Sequence, residues 1–388
     1  MTALARRNAL ELTPSDSQLA AIRDMIDWYI NRPKQQEYYL AGYAGAGKST
    51  VAGIGVEEIS TRLKKRLKVL WGAYTGKAAD VLRRMHGVEA DTIHRLIYKP
   101  VEGKDGKIVF KLNPESPVAE ADLLVLDECS MIPEDVARDL ASFKVKILVL
   151  GDPGQLPPIR GTSPFTSRSP DSFLREIHRQ AQDNPIIRLA TLVREGQPIP
   201  FGEYGDGVRR IRRDAEAKPY VNDNDTQVIC GVHRIRWSTT RWIREERGYD
   251  SNLPLVGEKL LCCRNKHDLG LFNGTPVTLS SIVPAAKPGE IILGVKTDDG
   301  RRLDELRTRT ELFREHFEGS FEKDPAFTHR DYLHFDWAYV LSCHKAQGSS
   351  WARVTVLDDS ASFGDDRFRW LYTAITRSEG ELTIVSRD

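Results

Sequence analysis

The sequence lacks paired cysteines, a long apolar run and a strong net charge. Its five cysteines include no pair with CxxC spacing, which argues against a zinc site and against a disulfide framework. No apolar stretch approaches the length that crosses a bilayer, so we expect no contact with a membrane. The net charge is +1, so a polyanionic partner would need a local basic surface.

Residues 1–12 also lack a secretory signal, because Arg6 and Arg7 are not followed by an apolar core and small residues. With 40% apolar and 29% charged residues, the composition is typical of globular chains, and we expect a cytoplasmic protein. A length of 388 residues exceeds what one compact domain usually holds. The sequence therefore predicts two principal domains.

Short apolar runs alternate with helical patterns along the first 150 residues. Residues 38–42, 68–73, 123–126 and 146–150 have the composition of buried strands, and residues 17–30 have a helical pattern. Such alternation is typical of a parallel sheet flanked by helices. The sequence thus predicts an α/β fold.

Three segments depart from this alternation. A polar stretch at residues 99–119 predicts a β-hairpin. Strand-like pieces with regular turns at residues 256–304 predict a small all-β module. Residues 161–170, rich in Ser, Thr, Pro and Gly, predict the hinge between the two domains.

The strongest motif is a glycine-rich loop that follows the first predicted strand. It reads GYAGAGKST and matches the complete GxxxxGK[ST] pattern between a strand and a helix. Its backbone N–H groups and the helix N-terminus are suited to phosphate oxygens, whereas an ordinary glycine-rich turn would not need Lys and Ser at these positions. The loop predicts ATP as a cofactor, bound by Gly42, Gly45, Ala46, Gly47, Lys48, Ser49 and Thr50.

An acidic pair follows the apolar run at residues 123–126. We expect Ser49 and Asp127 to hold Mg²⁺, Asp127 through water, and Glu128 to activate the attacking water. Lys48 would neutralise charge on the β and γ phosphates. A solvated turn is the alternative for an isolated Asp-Glu pair. The pair's place after a phosphate loop favours catalysis, and its composition favours hydrolysis over transfer to another substrate.

Further motifs occur in the order and spacing of superfamily 1 helicases. Over almost its whole length the chain resembles the RecD and Dda group, and the compact phage Dda type more than the long RecD-like proteins. The matching segments, in the helicase nomenclature Q, Ia, Ib, III, IV, V and VI, are residues 12–18, 71–79, 91–96, 150–158, 177–180, 342–350 and 372–377.

The resemblance implies two RecA-like P-loop domains, each with a parallel sheet flanked by helices. The first would comprise residues 1–165, with a β-hairpin pin inserted at about residues 99–119. The second would comprise residues 166–388, with an SH3-like β-barrel inserted at about residues 255–333. This last assignment depends on the FNGTPV segment, which lacks the usual second glycine.

Several catalytic roles follow from the resemblance. Gln18 would read the adenine edge, and Gln155 would sense the γ-phosphate. Arg179 and Arg377 would approach that phosphate from the second domain, where a guanidinium stabilises the transferring phosphoryl group. A surface salt bridge is the alternative role for either arginine.

The resemblance also implies contacts with the backbone of single-stranded DNA, although ordinary helix caps have the same composition. The candidate residues are Tyr74, Thr75, Lys77, Thr92, His94, Ser342 and His344. Tyr74 stands where proline is usual and would either stack on a base or belong to the core. Phe110 is the candidate wedge of the pin, with a half-buried hairpin aromatic as the alternative.

Together these assignments predict an ATP-dependent DNA helicase that moves 5′→3′ on single-stranded DNA. ATP hydrolysis would be coupled to domain closure, and duplex would open at junctions between single and double strands. A protein-displacing translocase, an RNA-directed helicase and a non-enzymatic ATP-binding module are the alternatives. We expect a monomer, with a single-strand-binding or replisome protein left open as a further partner in replication, recombination or repair.

Overall fold

A computed structural model gives the structure of the chain. It describes residues 14–102, 108–158, 161–175, 183–266, 269–271, 273–297, 300–313 and 331–387. The chain divides into two compact units, Met1–Arg188 and Leu189–Asp388. In the described ranges no helix is long and apolar enough to span a bilayer.

The first unit contains eight strands in its described part. They are β1 (Glu37–Gly42), β2 (Val69–Ala73), β3 (Ala90–Thr92), β4 (Tyr98–Glu102), β5 (Ile108–Leu112), β6 (Leu123–Asp127), β7 (Lys146–Gly151) and β8 (Ser172–Leu174). Six of them form a parallel sheet with the order β3-β2-β6-β7-β1-β8. The predicted α/β fold with a parallel sheet is therefore confirmed.

Helices cover both faces of this sheet. They are α1 (Asp16–Asn31), α2 (Lys48–Leu63), α3 (Gly76–His86), α4 (Ile93–Ile97) and α5 (Glu134–Ser142). A further helix, α6 (Pro185–Arg194), contains the boundary between the units. Alternate residues of β7 enter two different cores: Leu148 and Leu150 pack with α1 and α2, and Ile147 and Val149 pack with α4 and α5. Burial on both faces explains why the strand is a continuous apolar run.

Strands β4 and β5 form the antiparallel hairpin that the sequence predicts, with Tyr98 opposite Leu112 and Glu102 opposite Ile108. The hairpin is a separate two-stranded sheet and follows α4 directly.

Residues 161–170 do not form the predicted hinge. Phe165 is buried in the core of the first unit, and the buried Ser163 hydroxyl donates to the carbonyl of Cys129 at 2.7 Å. Beyond this segment β8 pairs with β1. The first unit consequently ends at Arg188 rather than at residue 165, because Ser163 and Phe165 pack into it and the strand that follows joins its sheet.

The second unit contains two sheets. Its strands are β9 (Gly202–Gly205), β10 (Val208–Arg212), β11 (Gln227–Cys230), β12 (Lys259–Cys262), β13 (Pro276–Pro284), β14 (Glu290–Thr297), β15 (Arg302–Arg309), β16 (Phe335–Trp337), β17 (Val340–Ser342), β18 (Trp351–Asp358) and β19 (Ser378–Ser386). One sheet has the order β17-β11-β18-β19-β10-β9 and is parallel except for β9. The other has the order β15-β14-β13-β12-β16 and is antiparallel.

Four helices of this unit lie within the described residues over their whole length. They are α7 (Lys218–Val221), α8 (His233–Glu246), α9 (Cys343–Ala346) and α10 (Arg367–Ile375). Two buried ion pairs join α8 to the antiparallel sheet: Arg244 binds Glu258, just before β12, and Arg236 binds Asp336 on β16. Removing one partner of such a pair leaves an uncompensated buried charge, so these pairs fix the orientation of the antiparallel sheet relative to α8.

Candidate nucleotide site and nucleic-acid surface

The phosphate loop connects β1 to α2. Gly45 and Gly47 both have φ near +79°, a conformation that glycine adopts without steric cost. The ammonium of Lys48 donates to the carbonyls of Gly42 and Tyr43, at 2.9 and 3.3 Å. The loop therefore curls around the first turn of α2, with backbone N–H groups at a helix N-terminus, the arrangement that binds phosphate.

The acidic pair lies at the carboxyl end of β6. Ser49 donates a hydrogen bond to Asp127 Oδ2 at 3.0 Å, and the backbone N–H of Glu128 donates to Asp127 Oδ1 at 2.8 Å. Thr50 follows Ser49 in the first turn of α2. A hydroxyl and a carboxylate at this separation are hard oxygen donors of the kind that Mg²⁺ binds together with phosphates and water, so the residues fit the ion.

Gln18 contacts the phosphate loop through its side chain. Its amide nitrogen donates to the carbonyl of Ala46 at 3.0 Å, and its amide oxygen accepts from the Ser15 N–H at 3.0 Å. The second bond belongs to a capping box at the start of α1. Gln18 is thus placed as a support of the loop, a contact that the motif alone did not predict.

The segment after β7 completes this edge of the sheet. The buried carboxylate of Asp152 accepts from the Gly154 N–H at 2.8 Å. Gln155 is also buried, and among the described residues its amide oxygen has no hydrogen-bond partner. An unsatisfied buried acceptor is costly and is expected where a ligand completes the hydrogen bond. Because β1, β6 and β7 are parallel, all three motifs lie at the same edge.

Three aromatic rings lie in a row in the first unit, beyond the carboxyl ends of β2 and β3. The ring of Tyr74 lies 5.8 Å from that of His94, and the His94 ring lies 5.4 Å from that of Tyr98. Tyr98 Oη donates to Asp139 Oδ2 at 2.6 Å, and burial raises the pKa of Tyr98 above its ordinary value. Sequence reasoning missed Tyr98 and Asp139, because neither belongs to a helicase motif. The row connects two predicted DNA-binding residues to the first residue of the hairpin.

The threonines of the predicted DNA surface cap helices. Thr75 accepts from the Ala78 N–H at 3.2 Å at the start of α3, and Thr92 accepts from the Arg95 N–H at 3.3 Å at the start of α4. Lys77 lies in the first turn of α3. Capping uses an acceptor position of each hydroxyl, so each hydroxyl keeps its proton as a donor.

The side chain of Phe110 projects from the hairpin and is 62% exposed. It lies on β5 opposite Pro100. The alternative prediction, that Phe110 is a half-buried aromatic of the hairpin, is therefore wrong.

The predicted DNA-binding residues of the second unit, Ser342 and His344, lie at the carboxyl end of β17. The Ser342 hydroxyl caps α9 by accepting from the Lys345 N–H at 3.4 Å. The ring of His344 lies 6.4 Å from that of Phe363, and burial lowers the pKa of His344 below its ordinary value. Neutral imidazole is therefore the expected form of this side chain near pH 7.

Arg377 is buried at the end of α10 and bound by its own unit. Its guanidinium donates to the carbonyls of Thr373 and Ser349, at 3.1 and 3.3 Å, and to the hydroxyl of Thr376 at 3.2 Å. Through these bonds the guanidinium connects predicted motif V, which contains Ser349, to predicted motif VI, which contains Thr373, Thr376 and Arg377 itself. Arg179, the other predicted arginine of the catalytic set, lies outside the described residues.

Comparison with known proteins reveals two family matches. Residues 15–212, just over half of the chain, match the family model described as an AAA domain. Residues 337–385 match the UvrD-like helicase C-terminal domain.

Individual relatives agree with these matches. The chain is 27% identical over 351 residues to the ATP-dependent RecD2 DNA helicase of Deinococcus radiodurans, a match that covers 87% of this chain and 45% of that protein. It is 29% identical over 203 residues to the ATP-dependent DNA helicase dda of Enterobacteria phage T4, covering 49% of this chain and 45% of that protein. The chain therefore spans less than half the length of these relatives.

The crystal structure of Bacteroides Pif1 bound to single-stranded DNA has the same fold. The TM-score is 0.55 at 16% identity, and the alignment covers 97% of this chain and 93% of that one. The chain's similarity to the RecD2 and dda helicases and the UvrD-like match near its carboxyl end agree with the resemblance to superfamily 1 helicases of the RecD and Dda type. The AAA-domain match extends over half of the chain, and the chain therefore belongs to the AAA-domain family.

Proposed function

We propose that this chain is an ATP-hydrolysing DNA helicase that moves along single-stranded DNA and opens duplex. The observation that carries the proposal is the hydrogen bond from Ser49 to Asp127, which joins the phosphate loop to the acidic pair at one edge of the sheet. A module that uses ATP only as a structural ligand would not need Glu128 beside Asp127. Hydrolysis is therefore the favoured activity.

Each motif side chain of the first unit has a separate role in the proposed hydrolysis. Lys48 neutralises phosphate charge, and Ser49 and Asp127 hold Mg²⁺. Glu128 takes a proton from the attacking water, and Gln155 binds near the γ-phosphate. Bound Mg²⁺ supplies charge neutralisation on the phosphate oxygens.

Coupling to movement would use the second unit. We propose that Arg377, and Arg179 with it, approaches the γ-phosphate when the two domains close around ATP. Hydrolysis would then depend on closure, because a guanidinium contributes only in the closed state. If the two domains tighten their contacts with the DNA strand alternately during each ATP cycle, the chain would move along the strand. The 5′→3′ direction rests on the resemblance to the RecD and Dda group.

The strand would contact the helix caps and rings of the proposed DNA surface. These residues are Tyr74, Thr75, Lys77, Thr92, His94, Ser342 and His344. We propose that the β4–β5 hairpin acts as the pin, with exposed Phe110 at the junction, and that the five-stranded antiparallel sheet belongs to an SH3-like barrel. The solved Pif1 bound to single-stranded DNA supports a single strand as the substrate.

Steady-state ATP hydrolysis with and without single-stranded DNA tests the proposal. We expect strong stimulation by DNA in the unchanged chain and its loss in Glu128→Gln. The matched control is Glu134→Gln, which alters an exposed carboxylate at the start of α5. Hydrolysis that is indifferent to DNA would contradict the helicase and leave the phosphate site standing.

Unwinding of partial duplexes then distinguishes the remaining alternatives. Duplexes with a 5′ or a 3′ single-stranded tail test the direction, and a preference for the 3′ tail would overturn that part alone. Stimulation by matched RNA in place of DNA would favour the RNA-directed helicase. DNA-stimulated hydrolysis without strand separation would favour a protein-displacing translocase.

A further inference from the structure

The second unit contains a cavity of about 300 Å³ away from the helicase motifs. It lies among the residues that follow β10, helix α7 and one face of α8, above the ends of β18 and β19. Strand β17, which carries Ser342, is four strands away from β10 in the same sheet. The cavity itself lies over Leu357 of β18 and Val385 of β19, two and three strands from β17, and none of its lining residues belongs to a predicted helicase motif. It is therefore separate from the proposed DNA surface of this unit.

The floor of the cavity is apolar and one wall is aromatic. Val221, Leu357 and Val385 supply alkyl groups, and the half-buried ring of Trp242 forms the wall. The indole N–H of Trp242 donates to Glu246 Oε1 at 3.1 Å, which fixes the ring orientation. A wall that is already oriented does not lose entropy when a ligand packs against it.

Two cations border this apolar floor. Lys218 Nζ lies 5.9 Å from the centre of the Trp242 ring, and Arg213 follows β10. Within the part of the chain that the structure describes, neither side chain takes part in an ion pair. Partial burial, and then the neighbouring guanidinium of Arg387, lower the pKa of Arg213. An anion here would offset both effects.

The acidic groups nearby are already engaged. Asp214 lines the cavity, and its carboxylate accepts from the Glu216 N–H at 2.9 Å, which caps a short 3₁₀ turn. Asp359 attracts Arg213 but accepts hydrogen bonds from the N–H groups of Gly231 and Val232, each at 2.8 Å. Among the residues that the structure describes, neither carboxylate forms an ion pair with Arg213 or Lys218, so the two cations remain available to an anionic ligand.

We infer that this cavity binds the carboxyl-terminal residue of a partner protein, with an apolar side chain on the floor and the free carboxylate at Arg213 and Lys218. The volume is at the lower end of ligand pockets and suits one side chain rather than a whole cofactor. Charge-assisted hydrogen bonds to a terminal carboxylate supply the specificity. A nucleobase fits less well, because its polar edges would face alkyl groups.

Fluorescence anisotropy with the full chain tests this inference without ATP. The probe is a labelled ten-residue acidic peptide that ends in phenylalanine with a free carboxylate, and its counterpart has a terminal amide. We expect the carboxylate peptide to bind about tenfold more tightly than the amide. Lys218→Glu and Trp242→Ala should each weaken its binding about tenfold. Lys296→Glu, at an exposed position of β14, is the matched control.

Equal binding of the two peptides, or unchanged binding in Lys218→Glu, would overturn the inference. Displacement of the peptide by an oligothymidylate, together with weaker DNA binding in Lys218→Glu, would identify a nucleic-acid site instead and also overturn it. DNA-stimulated ATP hydrolysis should be unchanged in Lys218→Glu. Because the peptide assay needs no ATP, its outcome does not depend on whether the helicase proposal holds.

Discussion

Ser49 donates its hydroxyl proton to Asp127 Oδ2 at 3.0 Å, although 78 residues separate the two in the chain. The bond joins the two oxygen atoms that we expect to hold Mg²⁺. Ser49→Ala removes one of them, so the Mg²⁺ concentration that half-saturates ATP hydrolysis should rise about 10- to 100-fold. A Mg²⁺ titration of hydrolysis at fixed ATP measures this shift.

Ser60→Ala is the matched control for this experiment. Ser60 lies on the same helix and donates to the carbonyl of Val56 at 3.0 Å, away from the acidic pair. An unchanged Mg²⁺ requirement in Ser49→Ala would show that its hydroxyl is only a structural partner of Asp127.

Gln18 supports the phosphate loop through its bond to the Ala46 carbonyl. Gln18→Glu keeps the acceptor for Ser15 but removes this donor, so the free energy of unfolding should fall by about 1–3 kcal/mol and the KM for ATP should rise. Urea unfolding and ATP titrations measure the two effects.

Gln36→Ala separates loop support from general stability. Gln36 makes a similar bond, to the carbonyl of Ala141 at 2.9 Å, on a different part of the first unit. Gln36→Ala should lower the free energy of unfolding and leave the KM for ATP unchanged. Equal KM values in Gln18→Glu and the unchanged chain would argue against a loop-supporting role.

Gly151 has no room for a side chain because Cys129 packs against it. An added Cβ would lie 2.2 Å from Cys129 Sγ. Gly151→Ala should therefore lower the free energy of unfolding by about 1–3 kcal/mol. In the double variant with Cys129→Ala the loss should be smaller than the sum of the two single losses, by about 0.5–3 kcal/mol.

Gly53→Ala in α2 is the control for the added methyl group, because nothing lies within 4 Å of its Cβ position. It should be neutral or stabilising by up to about 1 kcal/mol. Additive losses in the Gly151 and Cys129 cycle would mean that a group other than the thiol limits the space.

The parallel sheet and the nucleotide site of the first unit were the most predictable parts. Residues 123–126 and 147–150 are buried on both faces, so composition alone indicates strands, and the phosphate loop requires glycine where φ is positive. The position of the acidic pair near the phosphate loop is predictable because parallel strands end at the same edge of a sheet. Each of these features is local in the sequence.

Contacts between distant residues could not be predicted. Phe165 lies in a Ser- and Pro-rich stretch that resembles a hinge, yet it enters the core because the following strand pairs with β1. Tyr98 meets Asp139 across 41 residues, and no motif contains either residue. The pairing of Arg244 with Glu258 depends on a helix and a separate sheet. Tertiary packing decides these positions, and short-range patterns carry no information about it.

Arg377 is held by three hydrogen bonds within its own unit. If its guanidinium also stabilises the transferring phosphoryl group, Arg377→Lys should lower kcat about 10³-fold while ATP binding is retained. Single-turnover hydrolysis and nucleotide binding measure these quantities. Thermal unfolding is measured in parallel, because the lysine cannot make all three bonds.

Arg369→Ala on the same helix is the control, since Arg369 is exposed and pairs with Asp366 at the surface. A normal kcat in Arg377→Lys, with or without lower stability, would assign Arg377 a structural role.

The hairpin offers a separate test of strand separation. Phe110 is exposed on β5, so Phe110→Ala should leave stability within about 0.5 kcal/mol and leave DNA-stimulated hydrolysis unchanged. Unwinding per ATP hydrolysed should fall if the ring meets the junction.

Tyr98→Phe removes the bond to Asp139 at the base of the hairpin and should cost about 1 kcal/mol of stability. Because that bond fixes the start of β4 relative to α5, unwinding per ATP should fall here too. If both variants unwind normally for each ATP, strand separation must depend on another part of the molecule.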